Sequence, residues 1–342
     1  MSHVGASSHG PPQAIVTVRR VSTVEWHWQR ATATAVLAAC FLLSHGCSDG
    51  PVASEGEGIG EWSAKAPLPT ARQEMPSAVV GGKIYTPGGY NQTGQTTATL
   101  EIYDVTADRW SSGPAMPEGR NHPGVASSGG YVFVIGGYTA TGAASPSVFS
   151  FNAANGTWST RRAMPAGRAA HVAIELGGKI YAIGGVRGGA VVATTEVYDP
   201  ASDTWATLAP MPTPREHLAG AVIGQRIFIV GGRAPANTAA LEAYLPATNT
   251  WERLPDMPTA RGGLAAAALH GRLYAFGGEN PGVFPHTEEY DPALNAWRRV
   301  ADMPTPRHGM GAVTAGELIH VIGGGLRAGF GAGPIHEAFR IR

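Results

Sequence analysis

At 342 residues the chain is long enough for one large all-β domain or two ordinary ones. Charged residues make up 15%, while Gly and Pro number 47 and 26, a composition rich in turns that argues against long amphipathic helices. Formal net charge is zero, and the chain from Cys47 onward holds 22 basic against 24 acidic groups, about −2, which gives no support for the basic face that nucleic-acid binding needs.

The chain opens on a segment unlike the rest. "RATATAVLAACFLLSHGC" places the basic flank Arg30 before an apolar run from Ala31 to Leu43 and then small residues. Such a run is a secretory signal pattern, too short to cross a bilayer as a stable helix, and it predicts a signal peptide over 1–46. Both cysteines, Cys40 and Cys47, fall in this segment or at its end, so the exported domain has no disulfide to support it. Gly46-Cys47 followed by "SDGPVASEGEGIGE" resembles a bacterial lipoprotein site, with Cys47 lipidated and 47–60 as a flexible tether. Ser44 and His45 depart from that motif. "LAAC" at Cys40 fits it better but would leave Phe41-Leu42-Leu43 after the cut, and plain cleavage near Gly46 is the alternative. The protein is therefore expected in the cell envelope or secreted, a monomer touching membrane only through such an anchor.

Beyond residue 60 the chain repeats itself. Tryptophans stand at 62, 110, 158, 205, 251 and 297, each ten residues before an arginine at 72, 120, 168, 215, 261 or 307. Each arginine stands sixteen before a glycine pair at 88-89, 136-137, 184-185, 231-232, 277-278 or 323-324. Between pair and next tryptophan comes Glu-x-Tyr or a variant, as in Glu101-Tyr103, Phe149-Phe151, Glu196-Tyr198, Glu242-Tyr244 and Glu288-Tyr290. All length variation falls in the loop after the glycine pair. Within a unit, "RAAHVAIELGG" reads as a first strand, "GKIYAIGG" alternates as a second, and "YDPASDTW" is a tight turn between a third and a fourth. Four strands in roughly 47 residues, six times over, cannot bury their faces singly but can when arranged radially. The sixteen-residue interval is then a first strand, a turn and a second strand.

Glycine pairs, an acid-x-aromatic strand and a spaced tryptophan resemble the Kelch repeat, and six of them resemble a six-bladed Kelch β-propeller over 61–342. The fold expected is thus all-β, with four antiparallel strands per blade. Trp62 has no first three strands before it, and "HEAFRIR" at the C-terminus is a third strand without a tryptophan. The two fragments make one blade, closing the circle. Phe149 in place of Glu and the run-on Gly325 depart from the pattern. The six tryptophans are expected between blades, each contributing roughly 4–6 kcal/mol before entropy.

In such a blade the loop carrying each arginine and the variable loop after the glycine pair share one face, where variable loops over a rigid scaffold tend to carry function. The resemblance implies ligand contacts just after the arginine and just after the glycine pair. The first set holds Gln73, Glu74, Asn121, His122, His171, Glu216, His217 and His308, with only Gly262 and Gly263 in one repeat. The second holds Tyr90, Tyr138, Arg187, Arg233, Glu279 and Asn280. Asn121, His122, Tyr138, His171, Arg187, Glu216, His217, Arg233 and His308 are the expected contacts, and the Gly262-Gly263 blade the roomier side. The six arginines are read chiefly as structural donors. No cofactor is expected, and no metal, because histidines of different blades stand well apart except at the axis.

Three function classes remain, the last of them a purely structural or adhesive surface protein. The first is a non-enzymatic extracytoplasmic module that binds a glycan or a protein. The second is an enzyme resembling the exported sialic-acid mutarotase, with Glu216 and Arg215 as the acid and cation. Balance favours binding. Galactose-oxidase chemistry is excluded for want of a cysteine, and the Glu-x₃-Asp-x₃-His pattern of plant specifier proteins is absent.

Overall fold

The computed structural model describes residues 59–341. The expected signal peptide, Cys47 and the tether lie outside the described residues, apart from the last two positions of the tether. Six four-stranded antiparallel sheets are present. The first runs Ala78–Val80, Lys83–Pro87, Leu100–Asp104 and Arg109–Ser112, and the next four blades follow the same order outward. The last blade takes Gly311–Ala315, Leu318–Ile322 and His336–Arg340, then closes on Glu61–Ala64, with Trp62 opposite Phe339. The innermost strands of consecutive blades touch in cyclic order, the sixth meeting the first. The molecule is a closed six-bladed propeller, as the repeat predicts.

Six apolar clusters hold it, one at each boundary between blades. The glycine pairs serve the same boundaries. A Cβ on Gly88 would lie 2.4 Å from the carbonyl oxygen of Arg120, so only glycine lets the next blade's arginine come this close. The Gly89 N–H then donates to that carbonyl at 2.7 Å, and the equivalent bond recurs at every boundary, ending with Gly324 to Arg72.

The arginines are structural. All six are fully buried. Arg72, Arg215, Arg261 and Arg307 pair with the third-strand acids Glu101, Glu242, Glu288 and Glu337 at 2.5 to 2.7 Å, and Arg168 pairs likewise with Glu196. Arg120, facing Phe149 instead of an acid, lies over that ring at 5.4 Å and bonds Glu118 and Ser145.

The tryptophans differ from expectation. Each sits on an outermost strand and is only part-buried. It packs on the third-strand aromatic of its own blade, as Trp205 does on Tyr198 at 5.1 Å. Its Nε1–H reaches a carbonyl just past the outermost strand of the preceding blade: Trp62 to Ala301, Trp110 to Ala66, Trp205 to Arg162. They are staples on the rim, with part of their surface still wet, so 4–6 kcal/mol apiece is too much.

Candidate functional site

The residue after each arginine pairs with the residue after the glycine pair: Gln73 with Tyr90, Asn121 with Tyr138, Ala169 with Val186, Glu216 with Arg233, Gly262 with Glu279, His308 with Gly325. These bridges bring the two loop families to one face. The next residue turns into the left-handed region, at φ of 50–65° for Glu74, His122, Ala170, His217, Gly263 and Gly309. Each of these six N–H groups donates to the carbonyl of the equivalent residue one blade back, at 2.6 to 3.0 Å. The result is a closed hydrogen-bonded ring about the axis. Its backbone is six-fold and its side chains are not. A left-handed φ costs a residue with a Cβ roughly 1–2 kcal/mol, yet Glu74, His122 and His217 stand where two other repeats have glycine.

Those three side chains meet. Asn121 turns its amide nitrogen to Thr96 Oγ1 at 2.7 Å and to the Tyr138 carbonyl at 3.4 Å. That carbonyl can only accept, so Asn121 Oδ1 faces His122 Nδ1 at 2.6 Å and takes its proton in a hydrogen bond. His122 Nε2 is thereby left as an acceptor, 3.3 Å from Glu74 Oε2. His217 Nδ1 bonds Glu216 Oε2 in the same sense, and the two imidazoles lie edge to face with centroids 4.8 Å apart. Tyr90 and Tyr138 flank His122 at 5.8 and 5.7 Å.

A second layer carries charge. The Arg233 Nε–H donates to Glu216 Oε1 at 2.8 Å and its Nη1–H to Glu279 Oε1 at 2.9 Å. Glu279 Oε2 accepts from the Gly329 N–H at 2.7 Å. His308 is fully buried and both its nitrogens face acceptors, the Gly325 and Gly329 carbonyls.

Burial pushes His122 down to about 3, with Arg233 and His308 adding to the fall, and drives His217 well below its usual range. Burial also raises the Glu74 carboxyl to about 7, a shift His308 opposes and Glu279 reinforces. Both axial imidazoles are therefore neutral at neutral pH, beside a carboxyl that is only part ionised. One donor atom from each of Glu74, His122 and His217 lies within 4.8 Å of the others. These are the residues that could hold a metal. They are the axial exception to the separation of histidines on different blades. The three border a cavity of ≈ 70 Å³, together with Gly263 and Gly309.

Of the residues expected at this face, His122, Glu216, His217 and Arg233 converge at the axis, with Tyr138 beside them. Asn121 and His308 are 1% and 0% exposed and orient their neighbours rather than meet solvent. His171 is buried, with neither ring nitrogen bonded to another described group, and it borders the space of ≈ 160 Å³ between the innermost strands. The Arg187 side chain is 38% exposed, with its Nη1 4.0 Å from the buried Glu196 Oε1. Arg215 is not available as a catalytic cation: its guanidinium is locked to Glu242, Thr213 and Ile229 within the blade. Arg233, eighteen residues after Arg215 but bridged to Glu216, is the cation that lies beside that carboxylate. At Gly262 a Cβ would meet Arg233 Cγ at 2.5 Å and Asn237 Oδ1 at 3.2 Å, while at Gly263, which borders the cavity, its nearest neighbours would lie at 3.4–3.5 Å. Glu74 and Glu279 belong to the centre of the site, and their offsets in the repeat were the only signal for them.

This architecture defines a Kelch-type propeller with an asymmetric funnel on one face. The model of the KLHDC2/KLHL20/DRC7 Kelch-repeats domain matches residues 74–278, and that of the Kelch motif matches 260–304. The chain belongs to the Kelch-repeat family. A solved structure described as "Structure of YjhT" is similar to it, with a TM-score of 0.67 and 17% identity over 80% of this chain and 95% of that one. At that identity the likeness speaks to the fold. No curated protein matches the chain. The Kelch propeller fold supports a protein-binding module.

Proposed function

We propose that the protein is an extracytoplasmic binding module, exported by its leader, that receives a glycan or protein ligand in the funnel formed by the arginine-bearing and post-glycine loops. One observation carries this reading. At six positions with the same left-handed backbone, the side chains are Glu, His, Ala, His, Gly and Gly, and the three polar ones converge on the axis. Blade packing does not require them, because glycine serves the same backbone in two repeats; a side chain kept at a strained position points to a ligand. Glu216, Arg233 and the exposed Arg187 supply the charged contacts, Tyr90 and Tyr138 the flat walls. A glycan array on the purified protein identifies a ligand, and titration of that hit decides the face. Glu216→Gln is expected to weaken binding by about 1–3 kcal/mol, as for a lost charged hydrogen bond. Asp203→Asn, in a turn between third and fourth strands, is expected to leave it unchanged. If the Asp203 variant impairs binding while Glu216→Gln and Arg187→Ala do not, the face is wrong.

A second reading, a sugar mutarotase or epimerase, is favoured by the grouping of Glu216 with His217 on one oxygen and Arg233 on the other. A carboxylate between an imidazole and a guanidinium is a general acid–base arrangement. One-dimensional NMR of anomer exchange in candidate sugars tests it; exchange no faster with protein than without removes catalysis and leaves binding.

A further inference from the structure

We propose that Glu74, His122 and His217 bind one divalent transition-metal ion of the zinc class at the axis of the propeller. Two imidazoles and a carboxylate are a donor set suited to zinc and its first-row neighbours and poorly suited to magnesium or calcium, which prefer oxygen donors throughout. The spacing is close to what such an ion needs. Metal bonds of about 2.0–2.1 Å in a tetrahedron set donors roughly 3.3–3.4 Å apart. His122 Nε2 and Glu74 Oε2 already stand 3.3 Å apart. The His217 donor lies no more than 4.8 Å from either, so closing the remaining edges asks roughly 1.5 Å of side-chain movement.

The outer shell is built for the same task. A metal-ligating histidine ordinarily donates its other N–H to a carbonyl or carboxylate, which fixes the ring and its tautomer. His122 gives Nδ1–H to Asn121 Oδ1, itself oriented by the Tyr138 carbonyl, and His217 gives Nδ1–H to Glu216. Both rings thus present an unprotonated Nε2. For His122 that lone pair faces the Glu74 carboxyl at 3.3 Å, a pair of donor atoms that one cation can bridge. His308 is not counted among the donors, because its Nδ1 and Nε2 lie against the Gly325 and Gly329 carbonyls at 3.2 and 3.1 Å. The hydrogen-bonded ring holds the three donor residues from the backbone side, so little order remains to be gained on binding. With three protein donors, the fourth position is left for water or a donor group of whatever enters the funnel. The site stands whether or not a partner docks above it.

The test is metal uptake by the whole chain, read without any ligand or activity. Protein stripped with chelator is titrated with Zn²⁺ and, for its visible d–d absorption, with Co²⁺. One equivalent is expected to bind, to raise the thermal midpoint, and to resist a large excess of Mg²⁺. His122→Asn and His217→Asn keep a residue that tolerates left-handed φ, and each is expected to abolish the Co²⁺ band. Asn121→Ala is expected to weaken Zn²⁺ binding by about 10–100-fold, as for a lost outer-shell partner. His270→Asn, at the exposed His270–Glu317 pair, is expected to change nothing. Glu74→Gln provides a second route should either histidine variant fail to fold. Failure of the parent chain to take up one equivalent overturns the proposal. So does undiminished binding in the folded His122→Asn/His217→Asn double variant.

Discussion

At the scale of the residue, the six arginines permit a controlled comparison. Five share their burial with a third-strand glutamate, whereas Arg120 meets the Phe149 ring, the Ser145 hydroxyl and the half-exposed Glu118, none of them a buried carboxylate. Removing one partner of a buried pair leaves the other charged and dry, which costs about 3–5 kcal/mol. Arg215→Met, stranding Glu242, is expected to fall in that range by urea denaturation. Arg120→Met strands no buried carboxylate and is expected to cost at least about 1–2 kcal/mol less. Arg215→Met with Glu242→Leu should recover most of the loss, since two apolar groups then fill the place of the pair. Equal costs for Arg215→Met and Arg120→Met would mean that the lost backbone contacts, not the orphaned acid, set the penalty.

At the scale of the element, blades were legible and the site only in part. Spacing between Trp, Arg and the glycine pair survives in the sequence because each interval is a strand length, and any insertion inside one would shift the register of a whole blade. Closure by Trp62 followed from the same arithmetic. The funnel is harder to read. Whether a side chain at the ring reaches the axis depends on a left-handed φ that Glu74, His122 and His217 adopt against their own preference, and no residue pattern announces it. Arg215 adjoins Glu216 in the chain but points into the blade; Arg233 meets it only through a bridge between loops. The tryptophans were placed correctly along the chain and too deep in the fold, since an outermost strand keeps one face in water. Each staple therefore contributes less than a core aromatic. Trp62→Ala and Trp205→Ala are expected to cost about 2 kcal/mol each, half the range for a buried ring. The two should agree by chemical denaturation if Glu61–Ala64 is a true fourth strand. Deletion of 335–342 removes the partner of that strand, and is expected to lower the midpoint and expose an edge that associates, read by light scattering. A monomeric truncation melting at the parental temperature would contradict closure.

At the scale of the whole molecule, the six boundaries are alike in design and unlike in chemistry. Among the described residues, the seam where the last blade meets the first is the one whose core carries two histidines. His336 donates Nδ1–H to the Ala66 carbonyl at 3.1 Å and receives His320 Nδ1–H on Nε2 at 2.9 Å. Both rings pack on Tyr103, with centroids 5.6 and 4.5 Å away. That chain of bonds uses one proton per ring, and a second proton on His336 would break it. Burial accordingly holds His320 down at about 4 and His336 at about 3, the latter helped by His320. In the unfolded chain both titrate near 6.5. The folded state binds fewer protons than the unfolded one between those values, so stability is full above pH 6.5 and falls as pH drops toward 4 and then 3. Each ring removes on the order of 2 kcal/mol by pH 5. His122, His217 and His171 add to the global slope from the funnel and the channel, but they do not hold the seam. Hydrogen exchange at pH 5 is therefore expected to quicken first in Glu61–Ala64 and His336–Arg340, while the strands of the middle blades stay protected. His336→Gln keeps a donor for Ala66 and an acceptor for His320 without a titrating group. It should flatten the fall in thermal midpoint between pH 7 and 5 and restore protection at the seam. If the parental chain loses protection evenly around the ring, or His336→Gln leaves the pH profile unchanged, acid does not open the propeller at its closure.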